Sequence, residues 1–242
     1  MILLLQISTF VSFPLSHRGE VSLAKYIGES KRYNMDIGIG LEVSLISFRN
    51  SFVSIEYRDE LEMAEQVGNI VFDPFYSHYY GILRFETIFK DLRLFTDYVH
   101  DCKHNIDRLP DSNKVVFNRF RGGFLYHRKP ATFFIRYGYY PHAVFIDWLN
   151  STDLYHDLLV QLRVNIYALR SLGFEFINEN YITFLSNDVA GFYIKRNIKL
   201  SLEAKYKGRT GTLGINISYY PWANDLIKSP QGLFILGIFY RI

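Results

Sequence analysis

Apolar and polar residues alternate one by one along most of this chain, and the alternating stretches are long. From Asp36 to Ser47 the sequence reads DIGIGLEVSLIS, with Ile37, Ile39, Leu41, Val43 and Leu45 on one parity and Gly38, Gly40, Glu42 and Ser44 on the other. Successive side chains of a β-strand point to opposite faces, so each parity is one face of a sheet. Ser51 to Glu62 repeats the pattern, setting Val53, Ile55 and Tyr57 against Ser54, Glu56 and Arg58. Such stretches run to roughly 10–15 residues, against about 5–6 for strands in soluble sheets, and that length suits a tilted membrane span.

The pattern predicts twelve strands: Glu20–Ile27, Asp36–Ser47, Ser51–Glu62, Tyr79–Phe89, Leu92–Asn105, Asn113–His127, Thr132–His142, His156–Arg170, Leu172–Leu185, Asp188–Lys207, Gly211–Trp222 and Gly232–Ile242. Leu172–Leu185 alternates least cleanly, because Asn178 and Asn180 share parity with Phe174 and Phe176. The link Lys90-Asp91 fixes one register. A two-residue hairpin there pairs Phe89 with Leu92 on the apolar face and sets Arg84 opposite Asp97 on the polar face. Short links (Phe48–Asn50, Lys90-Asp91, Arg128–Ala131, near Ser171, Gly208–Thr210) alternate with mostly longer ones. Short turns on one rim and long loops on the other are the outer-membrane barrel arrangement. An even strand number then puts both termini on the short-turn, periplasmic side.

The expected fold is therefore an all-β, transmembrane, up-and-down antiparallel barrel of about twelve strands. A soluble sandwich also alternates, but its polar face should be rich in Lys, Glu and Thr. Here that face mixes Arg, Glu, Asp and Gly with bulky Phe and Tyr, as in a narrow, packed lumen. Arg84, Glu86, Asp97, Arg119, Lys195, Lys199 and Lys205 are expected to line it. Aromatic residues make up 17% of the 242 residues, more than an ordinary soluble core needs, and Tyr137, Tyr139, Tyr219, Tyr220 and Trp222 read as an interfacial girdle. A net charge of +3 with no basic cluster argues against nucleic acid as a partner. The single cysteine excludes a disulfide framework. No apolar run of about 18 residues offers a spanning helix, and a mean hydropathy near zero is compatible with a barrel. Residues 1–17 begin with MILLLQISTF and read as a signal or N-terminal segment, leaving 18–242 as one barrel domain. Counting back by twos from the end gives Ile242, Tyr240, Ile238, Leu236 and Phe234. This resembles the C-terminal signal read by the barrel-assembly machinery, a partner during insertion, with Ile in place of the usual terminal Phe.

The chemistry-bearing residues concentrate between Leu92 and Arg108, LRLFTDYVHDCKHNIDR. His100, Cys102 and His104 share the parity of Leu92, Leu94, Thr96 and Tyr98, so they continue the apolar, outward face. Counting from the Lys90-Asp91 turn places His100 roughly 20 Å up the wall, near the outer-leaflet interface. Imidazoles and a thiol on a lipid-facing surface have no packing purpose and are functional candidates. His100, Cys102 and His104 are also chemically suited to zinc or copper, although alternate side chains of one flat strand stand about 7 Å apart and rarely wrap an ion. His127, His142 and His156 read as rim residues.

The segment resembles outer membrane phospholipase A, a twelve-stranded barrel with an outward His-x-Ser pair and an Asn on the next strand within an Asn-Arg dipeptide. Lipid A deacylases carry a similar outward pair on smaller barrels. His100-Asp101-Cys102 is similar, with Cys for Ser, and VVFNRFRGG supplies Asn118-Arg119 on the following strand. Val116, Asn118, Phe120 and Phe124 share the outward parity. His100, Cys102, His104 and Asp107 also match the longer H-x-S-x-H-x-x-D pattern of a related barrel group. The resemblance implies a bacterial outer-membrane location and lipid acyl transfer, with outer-membrane lipids as substrates. Cys102 would be the nucleophile, His100 its base and Asn118 the orienting group, supported by His104, Asp107 and Arg119. It also implies calcium near the site, for which Asp107, Asp111 and Ser112 are candidate ligands, and a homodimer. The departure of Cys for Ser keeps open a non-enzymatic barrel, either a subunit of a larger envelope complex or a narrow channel.

Overall fold

Each of the twelve alternating stretches becomes a strand. A computed structural model describes residues 11–12, 16–28, 33–63, 74–106, 115–145, 152–187, 191–225 and 228–242. After a two-residue strand β1 (Val11–Ser12) come β2 (Ser16–Ile27), β3 (Met35–Phe48), β4 (Ser51–Met63), β5 (Pro74–Phe89), β6 (Leu92–Asn105) and β7 (Val115–Arg128). Then follow β8 (Ala131–Phe145), β9 (Thr152–Leu169), β10 (Leu172–Asn187), β11 (Gly191–Lys207), β12 (Thr212–Ala223) and β13 (Phe234–Arg241). From β2 onward every strand pairs antiparallel with the next, and β13 pairs with β2, for example Ile238 with Leu23. Ile242 and Gly19 exchange backbone hydrogen bonds of 2.9 and 3.2 Å at the seam. The closed barrel leaves no open sheet edge, which hydrocarbon would not tolerate. β1 extends the ladder of β2 along β3, with Val11 opposite Phe48.

Faces follow parity. Leu83 and Phe85 are 51% and 49% exposed, whereas Asp97, on the next strand, is 3% exposed. The molecule is inside out relative to a soluble protein, with apolar side chains outside and charges within. Phe89 pairs with Leu92 and Arg84 with Asp97, the register expected from the Lys90-Asp91 turn. Arg84 grips Asp97 through Nε and Nη2 at 2.8 and 3.2 Å, and Arg121 of β7 reaches the same carboxylate at 2.8 Å. Arg119 joins four strands: it contacts Asp101 of β6 at 2.9 Å, the Tyr140 hydroxyl of β8 at 2.6 Å and Asp157 of β9 at 3.0 Å. Lys103 spans from β6 to Glu62 of β4 at 2.8 and 2.9 Å. Beside this network Val115, Phe117, Tyr140, Leu154 and Leu185 form an apolar lumen cluster.

The other half of the lumen holds a cavity of about 620 Å³, lined by Glu42, Arg58, Glu179, Lys199 and Ser218 among others. At the long-loop end Tyr26, Tyr33, Leu233 and Ile235 pack together. Lys228, in the connection between β12 and β13, lies 2.6 Å from Asp36, 3.8 Å from Glu60 and 3.9 Å from Glu62. Lys205 pairs with Glu203 at 3.1 Å and Lys195 stands opposite buried Thr183, so these lysines face the lumen with Lys199.

One reading changes. Tyr220 faces inward, against Lys199 and the Tyr26 cluster, while Tyr137, Tyr139 and Trp222 are exposed outside. Alternation alone puts Tyr220 on the side opposite Tyr219, and the register shift between Ile198 and Leu200, where Tyr220 and Pro221 face the single Lys199, returns Trp222 to the outer face. The weak alternation of β10 also finds an explanation. Asn178 and Asn180 face outward but satisfy each other at 2.6 Å, and Arg196 donates to Asn180 at 2.7 Å.

Candidate active site on the outer face

The register that begins at Lys90-Asp91 carries up the wall and sets Gly81, His100 and Asn118 in one row across β5, β6 and β7. His100 is exposed on the outer face, as parity requires. Its Nδ1 lies 2.9 Å from Asn118 Oδ1. An amide oxygen only accepts, so Nδ1 carries the proton and Nε2 is left as a free base. The Tyr98 hydroxyl donates to the same oxygen at 3.2 Å and helps hold the amide in this orientation. On the other flank Gly81 has no side chain, and a Cβ built there would meet nothing within 4 Å. Open space therefore adjoins the imidazole.

Cys102 has outward parity but is only 7% exposed. Tyr79 stands opposite it in the ladder, beside the thiol. The Tyr79 ring also meets His104 edge-on at 5.6 Å and lies 6.5 Å from the His100 ring. A neighbouring strand thus supplies a cover that the sequence of β6 does not reveal.

Arg119 is next to Asn118 in sequence but on the other side of the wall, 5% exposed and committed to Asp101, Asp157 and Tyr140. It lies in the lumen, as parity predicts, and braces the wall behind Asn118. Asp107, Asp111 and Ser112 lie outside the described residues. Among the described residues no three His, Cys, Asp or Glu side chains gather closely enough to hold a metal ion, and His100, Cys102 and His104 do not converge as a three-ligand set. The row is too spread along one strand, His100 is turned to Asn118, and Cys102 lies beneath Tyr79.

His142 falls opposite Asn118 from the β8 side, so the row extends to a second histidine position. The register shifts between Asn118 and Phe120, where two β8 residues, Tyr140 and Pro141, face the single Arg119. Pro141 was the available signal, since proline inside a strand marks an edge or a bulge.

The twelve-stranded closed barrel has counterparts among solved structures. The fold resembles that of the outer membrane phospholipases. Outer membrane phospholipase A from Escherichia coli is 12% identical, with a TM-score of 0.56 over 93% of this chain and 89% of that chain. The Salmonella typhi outer membrane phospholipase, a dimer with bound calcium, is also 12% identical, with a TM-score of 0.56 over 96% and 93% of the two chains. At that identity the likeness establishes the fold. No family model and no curated protein matches the chain.

Proposed function

We propose that this chain resides in a bacterial outer membrane and hydrolyses acyl esters of membrane lipids from the outer face of its barrel. The observation that carries the reading is the 2.9 Å contact between His100 Nδ1 and Asn118 Oδ1 on a surface that otherwise meets hydrocarbon. An oriented imidazole there has no role in packing, and polar groups facing lipid are costly unless they serve a function. The neighbouring phospholipase folds support the same reading.

In the proposed reaction Tyr79 turns aside and His100 Nε2 takes the proton from Cys102 Sγ. Sulfur attacks the ester carbonyl carbon, forming a C–S bond. Collapse of the tetrahedral intermediate breaks the C–O bond, and the leaving alcohol takes the proton back from Nε2. Water then adds to the thioester by the same route, releasing the fatty acid and restoring the thiol. Asn118 keeps the imidazole in the required tautomer throughout. The Salmonella typhi neighbour binds calcium. The calcium ligands suggested by sequence lie outside the described residues, and the steps above rest on this chain's own side chains. The partners of this reading are outer-membrane lipids, the barrel-assembly machinery during insertion and a second copy of the chain.

One observation favours a second reading, a non-enzymatic barrel within an envelope complex: the thiol is covered by Tyr79. Phospholipid hydrolysis by the wild type, Cys102→Ala, Cys102→Ser and His100→Ala decides between them. Activity lost in the Ala variants supports hydrolysis. Activity gained only in Cys102→Ser marks a hydrolase geometry stripped of its hydroxyl. No hydrolysis in any of the four leaves the structural reading standing.

A further inference from the structure

Below His100 the outer wall carries a notch. One ladder row runs Val53, Phe85, Thr96, Gly122 and Tyr137 across β4 to β8. Its two middle positions are small and its flanks are large. The row above it runs Leu83, Tyr98, Phe120 and Tyr139, and next comes the row of His100 and Asn118. The first two of these rows line an apolar groove of about 690 Å³ that opens outward. One side of the groove is held firm. The Tyr137 hydroxyl lies 2.6 Å from His156 Nδ1, the two rings stack at 5.4 Å, and Tyr139 packs against the same imidazole at 5.6 Å. The upper end is held as well, because Tyr98 packs on Phe120 at 5.3 Å and bonds to Asn118.

We infer that this groove is a slot for a single acyl chain of the lipid whose ester is presented to His100; the inference rests on the hydrolase reading and specifies how its substrate is held. Three observations select the occupant. The groove lies within the belt of exposed apolar side chains, so it is filled from the surrounding hydrocarbon. Its wall residue Tyr98 donates to Asn118, so the groove ends one ladder row below the His100–Asn118 pair. From Thr96 to His100 the strand runs about 14 Å, a rise of about 10 Å at a tilt near 45°, which stays within one leaflet of a hydrocarbon core about 30 Å thick. A chain in the slot would run from the notch up to the imidazole without leaving its leaflet. Gly122 sets the depth of the notch. A Cβ there would meet only the Phe95 carbonyl oxygen, at 3.9 Å, so a larger side chain fits the fold and fills the slot.

The test uses the full chain in phosphatidylcholine nanodiscs doped with a phosphatidylcholine that bears a diazirine on its acyl chain. Irradiation and peptide mapping should place label severalfold more heavily on Leu83, Phe85, Tyr98 and Phe120 than on Ile215 and Ile238 in the opposite wall. Gly122→Leu and, from the facing strand, Thr96→Leu should bring that excess down to the level of the opposite wall. In ester assays the palmitoyl-to-butyryl rate ratio should fall about tenfold in both variants. Localised labelling without hydrolysis in any variant would sustain the slot while removing the hydrolase reading. Even labelling around the barrel, unchanged by either substitution, would overturn the slot even if hydrolysis is found. So would replacement of the lipid label by cross-links to a second copy of the chain.

Discussion

The Asn118 amide oxygen accepts from both Nδ1 of His100 and the Tyr98 hydroxyl, which makes Asn118 the residue on which the outer site turns. Asn118→Ala should lower kcat for ester hydrolysis about a hundredfold or more while leaving KM nearly unchanged, because orientation of the base matters mainly in the transition state. Steady-state rates on mixed micelles check this. Tyr79 predicts a separate effect. With the thiol covered, a maleimide should modify Cys102 slowly, and Tyr79→Ala should speed that modification severalfold, as followed by intact-protein mass spectrometry. Residue by residue, parity alone was enough to put His100 and Asn118 on one outward face. It was not enough for Cys102, whose cover comes from another strand.

Among the strands, the β5–β6 hairpin was the most legible element because two independent pairs, Phe89–Leu92 and Arg84–Asp97, had to agree on one register. The same hairpin is an energetic keystone. Asp97 is buried and receives both Arg84 and Arg121. Asp97→Ala would leave two guanidinium groups facing each other in a confined lumen and should destabilise the barrel by about 3–5 kcal/mol. A lower urea midpoint for unfolding from lipid vesicles, at an unchanged slope, checks this. β12 was less legible. Tyr220 and Trp222 would share a face in a regular strand, and the shift opposite Lys199 that parts them leaves no trace in composition. Bulges are set by how two strands fit, a property that no single strand's sequence carries.

At the scale of the whole barrel, strand number and closure followed from the alternation and the C-terminal stretch, whereas the way the lumen is filled did not. Its charges come from strands far apart in the sequence, as in the contact of Lys228 with Asp36, Glu60 and Glu62. Burial opposes the Lys228 charge, but Asp36, Tyr26, Glu60 and Glu62 outweigh it and hold the pKa well above the ordinary lysine value. A raised pKa means that the contact's contribution is fully present below the unfolded lysine value of about 10.4 and is lost only as pH rises through the higher folded value. Proteolysis of the connection between β12 and β13 should therefore be equally slow at pH 7 and pH 10, and faster at pH 7 in Lys228→Gln. The outward aim of His100 has a further consequence. A group on the outside of a transmembrane wall meets its ligand by lateral diffusion in two dimensions, so what it senses is the mole fraction of lipid in the surface around it. Diluting that surface with inert amphiphile, at constant total lipid, would starve the site as surely as removing the lipid from the flask.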